Sequence, residues 1–83
     1  MDLACDDLVA AIAEHLAGRI SRGQLAAWAF DRFYELEQGE LIVPLDEEAI
    51  IRDALDELMF ADDEPFVLSE HELRQLMDRL AQV

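Results

Sequence analysis

Carboxylates are the chemistry this chain carries in quantity. The stretch from Asp53 to Glu64 reads DALDELMFADDE, and half of its positions are acidic. Asp53, Asp56 and Glu57 recur at helical spacing, and Phe60 projects on the Asp53/Asp56 side. Asp62, Asp63 and Glu64 then form an acidic loop that Pro65 and Phe66 follow. An aromatic beside carboxylates is the most partner-like feature of the sequence. The plainer reading of the acids is a solvated face, and of Phe60 and Phe66 it is packing under the loop.

Other chemistry is sparse. Catalysis needs a nucleophile with a base, or an acid–base pair held in a pocket. Ser21 and Ser69 are both accounted for as helix caps. Cys5 and His15 sit nearly three turns apart on one helix, too far for direct contact. Gly18 and Gly23 flank a cap and fit no phosphate-binding motif. Asp62-Asp63-Glu64-Pro65 lacks the alternating ligands and mid-loop glycine of a calcium loop, and Cys5, His15 and His71 show no zinc spacing. The expectation is a protein that is not an enzyme, with no cofactor and no dedicated metal site. Size and charge also invite comparison with acyl carrier proteins. Neither Ile20-Ser21-Arg22 nor Leu68-Ser69-Glu70 offers their Asp-Ser-Leu attachment site, so a carrier role is rejected.

Composition narrows the partners. The chain has 83 residues, a net charge of −14, twenty acids and six bases, all six of them arginine. Such acidity repels nucleic acid phosphates and anionic membranes and steers a basic protein toward the chain. It equally serves solubility, or reflects a salt-loving or GC-rich source. A hydrophobic fraction of 53% supports a packed core. The length sets one domain, residues 1–83, with a thin stability margin. No apolar run reaches membrane-span length, the acidic start lacks a secretion signal, and one cysteine suits a reducing cytoplasm.

Four amphipathic helices are expected to position these groups. Helix one spans Asp2 to Ala17 with Asp2 as cap, burying Cys5, Leu8, Val9, Ile12 and Leu16. Cys5 reads as a small buried hydrophobe and His15 as a rim residue. Helix two begins at the capping box Ser21/Gln24, flanked by the staple Ile20/Leu25, and stops at Gly39. Leu25, Ala29, Phe33 and Leu36 run along its centre, with Trp28 and Phe30 at the margins. Arg32 falls within that apolar face, where it snorkels or pairs with a carboxylate. Ala27 and Tyr34 project to the opposite side, leaving room for a second contact surface. The connector Glu40–Pro44 lies across the end of the core. Helix three follows cap Asp46, with Leu45 and Ile50 as staple, and buries Ile50, Ile51, Ala54, Leu55, Leu58 and Met59. Helix four follows the box Ser69/Glu72 and the staple Leu68/Leu73. Its narrow stripe of Leu73, Leu76, Met77 and Leu80 suits an outer bundle helix or a dimer seam. The fold class is all-α, an antiparallel four-helix bundle with short connections.

Three stretches together resemble a known family. They are Gly18-Arg19-Ile20-Ser21 leading to Trp28-Ala29, LDELMFADDEPF from Leu55 to Phe66, and LSEHELRQL from Leu68 to Leu76. The chain resembles the small helical immunity proteins of the colicin D immunity type and related proteins encoded beside polymorphic toxins. The resemblance covers roughly Leu16 to Leu80. It implies a helical bundle that plugs the basic active site of a tRNA-cleaving toxin. Carboxylates on a rigid helix would then occupy phosphate positions. In that role Asp53, Asp56 and Glu57 supply fixed charges, Asp62, Asp63 and Glu64 extend them, and Phe60 or Phe66 anchors. Asp62-Asp63-Glu64-Pro65 departs from the family's decorated loop, which leaves the particular toxin open. The alternative is a structural or adaptor protein acting through homodimerisation, built on the helix-four stripe, the outer side of helix two and the apolar connector.

Overall fold

The computed structural model describes residues 2–62 and 68–82. Four α-helices account for nearly all of its regular structure: α1 (Cys5–Leu16), α2 (Arg22–Glu37), α3 (Glu48–Leu58) and α4 (Glu70–Ala81). They form a four-helix bundle built from two close pairs, α2 on α3 and α1 on α4. Glu37 at the end of α2 pairs with Arg52 near the start of α3, while Gly23 near the start of α2 lies close to Asp62 beyond the end of α3. That pair is therefore antiparallel.

Each helix buries the stripe its sequence sets out. Leu8 and Ile12 of α1, Leu25 and Ala29 of α2, Ile51, Leu55 and Leu58 of α3, and Leu73, Leu76 and Leu80 of α4 fill one continuous core. Trp28, Phe33, Met59 and Met77 pack against it while remaining partly exposed. Full burial of a leucine or isoleucine stabilises by about 1.5–3 kcal/mol, so these side chains hold the pairs together. Leu73, Leu76 and Leu80 of the α4 stripe are buried inside the bundle, and Met77 at its edge stays partly exposed.

Caps fix two of the four helix starts. The Ser21 hydroxyl accepts from the Gln24 N–H at 3.0 Å, and the Gln24 side chain accepts from the Ser21 N–H at 2.7 Å. Ser69 and Glu72 repeat the arrangement at 3.2 Å in both directions. Ile20 and Leu68 pack on the core cluster that contains buried Leu25 and Leu73. Gly39 ends α2 with φ +74°, in the left-handed region that glycine adopts without steric cost.

The other two starts differ from the expectation. α1 begins at Cys5 rather than Asp2, with Ala4 as the N-cap residue. The Asp7 carboxylate accepts from the Ala4 N–H at 2.8 Å, and the Glu47 carboxylate accepts from the Cys5 N–H at 3.0 Å. Asp2 is drawn instead into a parallel bridge with Ile42, where the Leu3 N–H donates to the Ile42 carbonyl at 2.9 Å. This pairing lays the connector across the end of the core, with Leu3 and Leu41 both buried. α3 starts at Glu48, and Leu45 is 90% exposed, so the Leu45/Ile50 staple around Asp46 does not form. Pro44 and a turn over residues 45–47 use those positions to swing Glu47 toward the N-terminus of α1.

Candidate functional site

The residues that bury α3 also decide where its acids go. Ile51, Ala54, Leu55 and Leu58 face the core. At about 100° per residue, Asp53, Asp56 and Glu57 then fall on the opposite side, and all three are exposed. Asp53 and Asp56 are one turn apart, a spacing that places Cβ atoms about 5–6 Å from each other. Neither makes an ion pair among the described residues. Glu57 differs: its Oε2 accepts from Arg79 of α4 at 3.1 Å. Part of its charge is thus spent inside the fold, so it supplies less to a partner than its neighbours.

Phe60 lies in the turn just past α3 and is 40% exposed. Its ring is partly presented to solvent. Asp62 is exposed too, but it borders α2: its Oδ2 would lie 3.5 Å from a Cβ placed on Gly23. The eight sequence-derived positions therefore divide. Asp53, Asp56 and Glu57 share the outer side of α3, and Phe60 follows in the turn beyond its end. Asp62 faces a groove between α2 and the end of α3. Asp63, Glu64 and Phe66 lie outside the described residues.

That groove holds what the sequence reading passed over. It is a shallow groove, largely open to solvent, of about 270 Å³, lined by Gly23, Ala26, Ala27, Phe30, Asp31, Met59 and Asp62. Phe30 was expected to pack at the margin of the apolar face of α2, yet it is 54% exposed, and Tyr34 one turn on is 57% exposed. The signal was available in the spacing of Ala27, Phe30 and Tyr34, which places all three on one side of α2.

Arg32, His15 and Cys5 each have a local partner or a place in the core. Arg32 pairs with Glu35, its Nε donating at 2.7 Å, and its guanidinium lies 5.9 Å from the Trp28 ring centroid. His15 Nδ1 sits 3.1 Å from the Ile20 carbonyl oxygen, in the turn that links α1 to α2. Cys5 is buried, and burial first, then the adjacent Glu47 carboxylate, pushes its thiol up to about 12. A thiol so shifted is a poor nucleophile. Among the described residues no three His, Cys, Asp or Glu side chains gather in a way that could hold a metal ion, and no helix is long and apolar enough to cross a membrane. Fold and site together define a small acidic all-α bundle with an anionic outer helix face. Comparison of the chain with protein-family models, curated proteins and solved structures finds no match.

Proposed function

We propose that this chain is a non-enzymatic binding protein that docks its anionic α3 face onto a basic protein. Following the sequence resemblance, the partner class is a nuclease toxin whose phosphate-binding site it blocks. One observation carries the reading. Asp53 and Asp56 stand side by side on a rigid, core-anchored helix, with no cation of their own among the described residues and a partly exposed aromatic one turn away. Carboxylates already fixed in this way lose little side-chain freedom on meeting arginines or lysines.

The test is capture of a basic nuclease domain at low salt, followed by binding and cleavage assays. The expected result is a one-to-one complex in which nucleic acid cleavage stops. Asp53→Lys with Asp56→Lys should slow association by tenfold or more. Unchanged association would move the docking surface elsewhere. A second reading, self-association through α2, is favoured by exposed Phe30 and Tyr34. A homodimer by light scattering at micromolar concentration would support it.

A further inference from the structure

The groove between α2 and the α3 C-terminal turn is separate from the outer side of α3. Its floor is apolar: Ala26 is buried, Ala27 and Phe30 come from α2, and Met59 closes it from α3. Its polar groups are Asp62, beside Gly23 at one end, and Asp31, about two turns along α2 toward the other. Neither makes an ion pair among the described residues. Arg22, although next to Gly23, does not line it. At position 23 the absent side chain leaves that end open beside Asp62.

From this we infer that the groove is a socket for one arginine side chain carried by a basic protein partner. Pockets that enclose whole small molecules run from about 300 to 1,000 Å³. At about 270 Å³ this one falls just below that range and suits a single long side chain. An apolar floor with an exposed aromatic and a carboxylate at its end matches arginine in particular. Its methylene stem would lie along Met59 and the alanines, and its planar guanidinium would stack on Phe30 and pair with the neighbouring Asp31, while Asp62 at the other end adds to the negative field. Lysine offers the same charge but neither the fork nor the stacking plane. A second copy of this chain is the poorer occupant, because two bodies of net charge −14 repel each other. The inference deepens the proposed function and rests on its claim that the partner is basic, but it concerns different residues.

An NMR titration tests it. The probe is a capped peptide of alternating alanine and arginine, with the matching alanine–lysine peptide as control. In the wild-type chain, amide signals of Gly23, Ala27, Phe30, Asp31 and Asp62 should shift first and saturate together. The lysine peptide should bind at least threefold more weakly. Asp31→Asn with Asp62→Asn should weaken the arginine peptide tenfold or more, whereas Asp53→Asn with Asp56→Asn should leave the groove shifts in place. Well-dispersed spectra would show that each variant is folded. Equal affinity for the two peptides, shifts spread evenly over all acidic positions, or groove signals that broaden with protein concentration alone would each overturn the inference. Loss of groove binding with unchanged sensitivity of the basic partner to Asp53 and Asp56 substitution would sink the socket alone. The opposite pattern would sink the α3 docking face alone.

Discussion

A single cysteine shows how burial and one neighbour set chemistry at the residue scale. Cys5 packs in the core under the first turn of α1, and its thiol is held at about 12, against 9.0 for an unperturbed one, by burial and then by Glu47. A folded-state value above the unfolded one means that folding favours the protonated thiol. This contribution is complete below about pH 9 and is lost as pH climbs toward 12. The chain has no lysine and one tyrosine, so few other groups titrate in that window. The urea midpoint should therefore fall between pH 9 and 11 in the wild type and fall less in Cys5→Ala. Equal slopes would show that Cys5 does not control the alkaline limb. At this scale the sequence was a good guide to Cys5, His15 and Arg32, because each follows from position on one helix. It misjudged Phe30, which is 54% exposed. It also could not foresee that Arg79 engages Glu57, since the two are 22 residues apart.

Helix boundaries were legible where the cap is local and obscure where it is distant. Ser21/Gln24 and Ser69/Glu72 complete their boxes within four residues, and both helices begin where the sequence places them. Replacing either serine by alanine should cost about 1 kcal/mol by urea denaturation, and the double variant about the sum, because the two boxes share no partner. A clearly smaller sum would mean that the boxes are coupled. α1 depends instead on Glu47, 42 residues away, and on the Asp2–Ile42 bridge, and neither can be seen from the start of the chain. Glu47 is needed there, so the residues before it form a turn and α3 starts one position later than cap Asp46 implies. Hydrogen bonds first from the Cys5 side chain and then from the Cys5 N–H hold the Glu47 carboxyl below its ordinary value of 4.5. The sign is that of a depressed acid. Its contribution is present above about pH 4.5 and is lost as pH falls through the folded-state value. Glu47→Gln should flatten the acid limb of stability and speed amide exchange in the first turn of α1. Exchange there that is no faster than in the wild type would remove Glu47 from the cap.

For the molecule as a whole, charge acts in two directions at once. Among the described residues, Arg19, Arg32, Arg52, Arg74 and Arg79 are engaged in ion pairs, yet twenty acids against six arginines leave a large uncompensated negative charge on a small bundle. Repulsion among like charges opposes the compact state, and in 83 residues the margin against it is thin. Salt shortens the reach of that repulsion to about 8 Å at 0.15 M and about 3 Å at 1 M. Surface ion pairs are weakened as well, but exposed pairs are worth only about 0–1 kcal/mol each, so the net effect of salt on folding is set by the excess acids. The melting temperature should therefore rise as sodium chloride increases from 0.01 to 0.5 M, near neutral pH. Association with a basic partner should respond with the opposite sign, because the same screening removes the steering that brings the two together. Charge that served only solubility would give the first trend and not the second. A found partner whose association rate stays flat over that salt range, while the bundle itself becomes more stable, would mean that the acids of α3 act on water rather than on another protein.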